Sequence, residues 1–312
     1  MTIAFTFPGQ GSQAVGMGKE LAENFASARE VFEEIDEALG QKLTKLMWEG
    51  PKEDLTLTEN AQPALMAVSL AAIRVLEREG GFKLADKASF VAGHSLGEYS
   101  ALAAAGTFTL ADTARLLKRR GQAMQRAVPV GVGAMAALLG VEFDDAAAIA
   151  AEAAQGQVCT AANDNGGGQV VISGAKEAVE RAAEIAKAKG KKAMLLPVSA
   201  PFHCALMQPA ADEMAEALAQ VDMKTPLVPL VANVTASRVA DPATIRDLLV
   251  EQVTGMVRWR ECVLYMAGEG VMRFVEVGAG KALTGMAKRI VSDVELVTVG
   301  TPADVEAFLK TI

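Results

Sequence analysis

A Gly-x-Ser-x-Gly motif at residues 93–97 constrains the fold of this chain more than any other feature. A short apolar run, residues 88–92, precedes the motif, and a helix-like run, residues 100–105, follows it until Gly106. Strand, sharp turn and helix are the surroundings that a nucleophile elbow requires, with glycines that let the backbone turn tightly. The serine would then stand at a helix N-terminus, where free N–H groups favour developing negative charge. The motif therefore predicts an α/β fold that presents Ser95 as a nucleophile.

The composition is typical of a globular protein and argues against nucleic-acid binding. Of the 312 residues, 51% are hydrophobic and 22% are charged, and the formal net charge of −8 leaves no evidence of a basic face. The three cysteines are scattered, which gives neither a disulfide framework nor zinc-ligand spacing and suits a reducing compartment. Residues 3–7 are strand-like without a basic leader, and the apolar stretch 129–141 is too short to span a bilayer. We therefore expect a cytoplasmic protein, with no nucleic-acid or membrane partner, that functions as a monomer.

The first strand-like segment leads into a glycine-rich loop, residues 8–13, with the sequence Pro-Gly-Gln-Gly-Ser-Gln. Such a loop at the carboxyl end of a strand is where open α/β sheets place their ligands. The loop lacks the Lys-Ser/Thr of a P-loop and the third glycine of a dinucleotide fingerprint. We therefore interpret its backbone N–H groups and amide side chains as donors that could stabilise an oxyanion.

Two helical segments carry polar side chains whose direction the sequence leaves open. Asn60 is predicted to cap one helix, so Gln62 is either a solvated residue near the helix start or a polar group that faces the site. Thr109 is predicted to cap another helix, which carries Arg119 and Arg120. Because adjacent residues are about 100° apart on a helix, the two arginines cannot share a face. Either both are solvated, or one points inward to meet an anion.

Between residues 126 and 199 the pattern changes to β-α-β-β-α-β, the ferredoxin-like order. Residues 163–168, with the sequence Asn-Asp-Asn-Gly-Gly-Gly, are typical of a hairpin turn between its two middle strands. On both sides of this segment, strand and helix patterns alternate, which indicates a mainly parallel sheet covered by helices. We predict a hydrolase-like α/β catalytic domain formed by residues 1–125 and 200–312, with residues 126–199 as an inserted ferredoxin-like domain.

A nucleophilic serine needs a base, because its hydroxyl is barely ionised at neutral pH. The chain has two histidines. His94 adjoins Ser95 at a strained turn, where neighbouring side chains point apart, so a packing or hydrogen-bonding role is expected for it. His203 is therefore the candidate base. Two histidines cannot form a three-histidine metal site, and no metal is expected. The acidic residues between 142 and 184 have no evident strand-end position in the main sheet, so either a later acid or a carbonyl oxygen must orient the base.

Several motifs together resemble the malonyl-CoA:acyl carrier protein transacylases of the acyltransferase family, and the match runs essentially from end to end. The motifs are Phe7-Pro8-Gly9-Gln10-Gly11-Ser12-Gln13, Gln62-Pro63-Ala64-Leu65, Gly93-His94-Ser95-Leu96-Gly97-Glu98-Tyr99-Ser100, Ser199-Ala200-Pro201-Phe202-His203 and Glu276-Val277-Gly278-Ala279-Gly280-Lys281-Ala282-Leu283-Thr284-Gly285. The resemblance implies that malonate acylates Ser95 and that His203 is the base.

The resemblance also implies the remaining roles at the site. The Arg120 guanidinium would bind the malonyl carboxylate, the backbone N–H groups of Gln10 and Leu96 would form the oxyanion hole, and the carbonyl oxygen of Gln252 would orient the histidine in place of an acid. The other substrate-binding side chains would be those of Gln10, Gln62 and Phe202. A bulky phenylalanine beside the base would crowd an α-substituent and so disfavour methylmalonyl-CoA.

The implied reaction is a ping-pong transfer of malonyl from malonyl-CoA to the phosphopantetheine thiol of acyl carrier protein, in fatty acid biosynthesis and without a bound cofactor. Acyl carrier protein is acidic, so a local basic patch is expected at the mouth of the site. The candidates are residues 187–192, residues 118–119, and Lys281 together with residues 288–289, although each could be a solvated face. The alternatives are an acyltransferase that serves a polyketide synthase, a serine hydrolase or esterase, and a non-catalytic docking module.

Overall fold

The computed structural model describes residues 2–198 and 200–312, in which ten strands form two separate sheets. The strands are β1 (Ile3–Phe7), β2 (Ala88–Gly93), β3 (Gly133–Leu139), β4 (Cys159–Gly166), β5 (Gln169–Ala175), β6 (Lys192–Leu195), β7 (Leu230–Val231), β8 (Arg238–Val239), β9 (Arg273–Val277) and β10 (Glu295–Val299).

Helices connect the strands throughout the described residues. They are α1 (Lys19–Asn24), α2 (Ala26–Leu39), α3 (Leu43–Glu49), α4 (Lys52–Thr56), α5 (Thr58–Gly80), α6 (Leu84–Lys87), α7 (Gly97–Ala104), α8 (Leu110–Ala127), α9 (Phe143–Ala154), α10 (Lys176–Ala188), α11 (Gln208–Ala219), α12 (Pro242–Thr254), α13 (Trp259–Gly268), α14 (Ala282–Ile290) and α15 (Pro302–Leu309), with a 3₁₀ turn at Ala205–Met207. No helix in the described ranges is long and apolar enough to cross a membrane.

The larger sheet has the strand order β10-β9-β1-β2-β7-β8, and its pairs are parallel except for the short edge pair β7–β8. Successive side chains of a strand point to opposite faces. In β1, Phe5 and Phe7 enter one hydrophobic cluster with residues of α5 and α7, whereas Ala4 enters a second cluster with residues of α13 and α14. Both faces are therefore covered by helices, which confirms the predicted parallel α/β fold.

The smaller sheet is antiparallel, with the order β4-β5-β3-β6. Helices α9 and α10 cover one face and bury Leu138, Ile149 and Val179 there. The other face turns Met135, Ala137 and Val171 towards the cleft described below. This is the ferredoxin-like arrangement expected from the β-α-β-β-α-β pattern. The division of the chain at residues 126 and 199 stays a prediction, and Ser199 itself lies outside the described residues.

Two local predictions differ from the structure. Asn60 is not a helix cap, since α5 begins at Thr58. The predicted hairpin turn at 163–168 is shorter, because β4 continues to Gly166 and leaves the turn to the two following glycines. The polar residues of that segment are buried, and two of them bond to His94 of the elbow and Arg260 of α13, so tertiary contacts override their turn preference.

Candidate active site

The turn between β2 and α7 presents Ser95 in a strained conformation. Its φ is 53°, in the left-handed region that a residue with a side chain rarely adopts. The turn is tight enough that an added Cβ at Gly93 would lie 1.9 Å from the carbonyl carbon of Gly97, and one at Gly97 would lie 2.2 Å from the carbonyl oxygen of Phe7. Both positions therefore require glycine, and the loop after β1 is in direct contact with the elbow.

The His203 ring stands beside the serine. The Ser95 hydroxyl oxygen and Nε2 are 2.7 Å apart, and Nδ1 is 2.8 Å from the carbonyl oxygen of Gln252 and 3.1 Å from that of Gly255. Because carbonyl oxygens accept, Nδ1 carries the proton and Nε2 is free to accept the hydroxyl proton. Burial lowers the pKa of His203 to about 3, and the positive charge of Arg120 adds to this effect. The imidazole is therefore neutral at physiological pH, as a base must be.

The Arg120 guanidinium is 1% exposed and reaches the same point from α8. It donates to three neutral acceptors: Gln62 Oε1 at 2.7 Å, Gln252 Oε1 at 2.8 Å and Ser95 Oγ at 3.1 Å. Within the described residues it makes no ion pair, and its Nε has no hydrogen-bond partner. Burial lowers the pKa of Arg120, but a guanidinium stays protonated in proteins. A buried cation with neutral partners can accept an anionic ligand.

The structure resolves both helix-face questions. Arg119 pairs with Glu213 at 3.1 Å at the surface, so Arg120 is the inward-pointing arginine. Gln62 is 1% exposed and bonded to Arg120, so it faces the site rather than solvent. Thr109 caps α8 as predicted, since its hydroxyl accepts from the N–H of Asp112 at 3.0 Å. One helix therefore holds a buried arginine beside the serine on its inner face and a surface ion pair on its outer face.

The backbone N–H groups near the serine fall into two kinds. That of Ser95 donates to Asn233 Oδ1 at 2.8 Å and is therefore engaged within the protein. Those of Gln10 and Leu96 donate to no other group within residues 2–198 and 200–312, and both residues line the cleft. The side chain of Gln10 bonds Thr58 at 3.1 Å, which holds the loop against α5. Two unengaged donors therefore border the nucleophile.

A cleft of about 530 Å³ opens above these groups, between the two sheets. Ser95 comes from the turn after β2, His203 from the loop before the 3₁₀ turn and Arg120 from α8, and the smaller sheet contributes Met135, Ala137 and Val171. Phe202, 8% exposed and next to His203 in the chain, and Met286 of α14 also line the cleft. The size and mixed lining are those of a small-molecule site.

Three comparisons with known proteins agree with this geometry. A family model described as the acyl transferase domain matches residues 4–303. The chain belongs to this acyltransferase family. It is 48% identical over 308 residues to the malonyl CoA-acyl carrier protein transacylase of Salmonella typhimurium, with 98% of each chain covered.

Solved structures of the family match the acyltransferase over its whole length. The acyl-carrier-protein-S-malonyltransferase of Bartonella henselae is 58% identical, with a TM-score of 0.97 and 99% of each chain covered. A malonyl-transacylase in complex with a type II PKS acyl-carrier protein is 42% identical, with a TM-score of 0.96 and 100% of each chain covered. The chain is therefore similar in sequence and fold to acyltransferases that bear these names.

Two parts of the acyltransferase site escaped sequence reasoning. Glu98 and Asn233 are buried behind the serine, where the Asn233 side chain donates to the Gly93 carbonyl at 2.7 Å. Burial raises the pKa of Glu98 to about 8. Glu98 lies in the elbow motif, but only the fold brings it to residues that are more than 130 positions away. Its position three residues after Ser95, in the first turn of the predicted helix, was the available signal.

His94 has the structural role expected of it. Its Nε2 lies 2.9 Å from Asn165 Oδ1 on β4, and its ring packs against Trp259 with a centroid separation of 5.7 Å. Burial lowers its pKa. The residue therefore joins the elbow to the smaller sheet and points away from the serine hydroxyl. No cluster of three metal-binding side chains occurs within the described part of the chain.

Proposed function

We propose that this acyltransferase moves malonyl from malonyl-CoA to the phosphopantetheine thiol of acyl carrier protein through a malonyl-serine intermediate on Ser95. The observation that carries the proposal is the buried Arg120 guanidinium, 3.1 Å from the Ser95 hydroxyl and without an ion-pair partner in the described residues. Malonyl differs from acetyl by one carboxylate, and an arginine binds a carboxylate with two parallel hydrogen bonds. This ion pair would hold the thioester carbonyl over the serine.

The first half-reaction uses the serine and the histidine. The Ser95 oxygen attacks the thioester carbonyl while His203 Nε2 takes the hydroxyl proton, and the carbonyl of Gln252 stabilises the imidazolium through Nδ1–H. The N–H groups of Gln10 and Leu96 bind the oxygen that becomes negative in the tetrahedral intermediate. The carbon–sulfur bond then breaks, and the CoA thiolate leaves with the proton from Nε2.

The second half-reaction reverses the first with a new thiol. His203 takes the proton of the phosphopantetheine thiol, the sulfur attacks the malonyl-serine carbonyl, and the Ser95 oxygen leaves with that proton. Gln62 and Gln10 line the acyl pocket, and Phe202 limits the space beside the α-carbon.

The enzyme uses no bound cofactor, and we place it in the cytoplasm as a monomer.

The carrier protein would dock beside α14. Lys281, Lys288 and Arg289 are exposed and make no ion pair in the described part of the chain. Arg289 lies one turn beyond Met286 and donates to Gln169 at 3.3 Å, and both of those residues line the cleft. These unneutralised cations at the cleft mouth suit an acidic partner.

The other basic patches are partly neutralised. Lys118 pairs with Glu59 at 3.0 Å and Lys187 with Glu184 at 2.8 Å, and Arg119 is engaged as described. The docking test is Arg289→Glu, with Lys187→Glu as the matched control. Transfer from the malonyl-enzyme to carrier protein should fall about tenfold for Arg289→Glu alone, while transfer to free pantetheine stays unchanged. Equal effects of the two variants would contradict this docking surface.

Intact mass spectrometry tests the main proposal. Incubation with malonyl-CoA should give a stable malonyl adduct, which is absent from Ser95→Ala and is discharged by a phosphopantetheinylated carrier protein. An adduct that is hydrolysed as fast as it forms, without transfer, would instead indicate a serine hydrolase.

A carrier protein of a polyketide synthase is the second candidate acceptor, favoured by the solved complex of the similar malonyl-transacylase. Rates with fatty-acid and polyketide carriers distinguish the two.

A further inference from the structure

Glu98 is a buried carboxyl group that the proposed reaction does not use. It is 1% exposed, on the first turn of α7, and makes no ion pair within the described ranges. Its Oε2 accepts a short hydrogen bond from Gln252 Nε2, and its Oε1 accepts from the backbone N–H of Asn233 at 3.3 Å. Burial of a carboxyl group without an ion-pair partner costs folding free energy. We therefore expect Glu98 to have a functional role.

The Gln252 side chain is the link between Glu98 and the anion-binding arginine. Its Nε2 faces Glu98 and also donates to the Ser95 carbonyl oxygen at 2.9 Å, whereas its Oε1 accepts from Arg120 at 2.8 Å. An amide rotated by 180° would place its NH₂ against the guanidinium, donor against donor, and its oxygen against two acceptors. The orientation of this amide therefore decides whether Arg120 keeps a partner there.

We propose that Glu98 is a positioning residue for recognition of the acyl carboxylate: it orients the Gln252 amide so that Oε1 holds Arg120 in place. The proposal rests on the proposed function. Asn233 supports the same arrangement, since its Oδ1 accepts from the Ser95 N–H at 2.8 Å and lies 3.3 Å from Gln252 Nε2. Carboxylate recognition and the backbone of the nucleophile thus depend on one buried polar network.

The substitution Glu98→Gln is nearly isosteric and disturbs this network. Glu98 meets two N–H donors, one from Gln252 and one from Asn233. Above the pKa of Glu98, which burial raises to about 8, the carboxylate presents two acceptors, whereas a glutamine amide offers one acceptor and one NH₂ group, so either contact would become donor against donor. The Gln252 amide would then lose its fixed orientation, and Arg120 would lose a partner on binding an anionic acyl group.

The test compares malonyl-CoA with acetyl-CoA as acyl donors to Ser95, by intact mass at pH 9, where the Glu98 carboxyl is ionised. Glu98→Gln should lower kcat/KM for malonyl-CoA about tenfold relative to acetyl-CoA, mainly by raising KM. Ser95 labelling by a neutral fluorophosphonate should stay within about threefold of the unmodified protein. Ser100→Ala is the matched control, because Ser100 is buried on the same helix and its hydroxyl has no hydrogen-bond partner in the described residues.

The other possible results of this test either support or overturn the proposed role of Glu98. An unchanged ratio of the two donors, or an equal loss of both together with loss of labelling, would overturn the role of Glu98. If Glu98→Gln does not fold, Glu98→Asp is measured by the same ratio: a lower ratio supports the proposal and an unchanged ratio overturns it. An unmodified protein that forms no malonyl adduct overturns the proposed function and this role together, whereas adduct formation with an unchanged ratio overturns the role alone.

Discussion

The Nδ1–H of His203 donates to the backbone carbonyl oxygen of Gln252 at 2.8 Å, so a main-chain atom occupies the position of the acid in a Ser-His-Asp triad. A neutral carbonyl holds the ring and its tautomer without adding a charge. The side chain of the same glutamine holds Arg120. One residue therefore contacts both the His203 ring and the Arg120 guanidinium, through different atoms.

The separation of these two roles predicts the effect of Gln252→Ala. The backbone carbonyl remains, so the base keeps its orientation, while Arg120 and Glu98 each lose a partner. We expect kcat/KM for malonyl-CoA to fall about 10- to 100-fold, far less than the roughly 10⁴-fold loss when the acid of a triad is replaced. Steady-state kinetics on folded protein measures this. A loss of about 10⁴-fold would show that the side chain, and not the carbonyl, supports the base.

The low pKa of His203 predicts an unusual pH profile. An ordinary histidine near 6.5 would give a falling rate below pH 7, but a pKa of about 3 keeps the imidazole neutral down to pH 5. Ser95 labelling by a fluorophosphonate should therefore be nearly constant from pH 5 to 8. Because the charge of Arg120 contributes to the shift, Arg120→Ala should move the acid limb to higher pH. A half-maximal rate near pH 6.5 in the unmodified protein would contradict this.

Removal of the buried charge should remove selection for an anionic acyl group. Arg120→Ala is expected to lower kcat/KM for malonyl-CoA by about 10²- to 10³-fold, with a smaller change for acetyl-CoA. Arg119→Ala is the control, because it removes a surface ion pair on the same helix. Competition between the two acyl donors measures the ratio directly. Equal losses for both donors would indicate a structural role for Arg120.

Phe202 should limit the size of the acyl group. Its ring lines the cleft beside the base, so Phe202→Ala opens space near the α-carbon. We expect the ratio of methylmalonyl-CoA to malonyl-CoA turnover to rise about tenfold, with a loss of about 3 kcal/mol in the free energy of unfolding. Urea unfolding checks the stability, and Phe202→Leu should show smaller changes of both kinds. Comparable turnover of methylmalonyl-CoA by the unmodified enzyme would exclude this role.

The raised pKa of Glu98 predicts how stability varies with pH. The folded state binds the proton more tightly, with a pKa of about 8 against 4.5 for an ordinary glutamate, so its contribution is present below pH 4.5 and is lost as the pH rises through 8. Glu98→Gln cannot titrate there. Its unfolding free energy relative to the unmodified protein should therefore increase between pH 5 and 9. Urea unfolding at three pH values measures the difference, and a constant difference would contradict the shift.

The titratable neighbours of Glu98 do not change their protonation state in the pH range of this measurement. The titratable groups that face it are Arg120, Tyr99 and Cys262. Burial raises the pKa of Tyr99 to about 12 and that of the Cys262 thiol well above its usual value. All three keep their protonation state between pH 5 and 9, so the comparison isolates the carboxyl group.

The sequence alone predicted those features that steric exclusion fixes, or for which the chain has few residues of the required type. The glycines at 93 and 97 predicted the elbow, because its backbone leaves no space for a Cβ at either position. The strand patterns around them indicated a parallel sheet covered by helices. His203 followed from there being two histidines, one of them beside the nucleophile. The loop at residues 8–13 was interpreted from its own residues, whereas Phe202 and the particular N–H of Gln10 came from the family resemblance, and their catalytic roles stay predictions.

Only the tertiary structure decided which polar groups meet. Arg119 and Arg120 are neighbours of the same type, and packing of α8 against α5 and α11 determined which one is buried. The orienting carbonyl at Gln252 is a backbone atom, which every residue possesses, so no residue type marks it. Glu98 and Asn233 come together across 135 positions through strand pairing and helix packing. Sequence patterns report local geometry, whereas these contacts depend on long-range packing that no local pattern encodes.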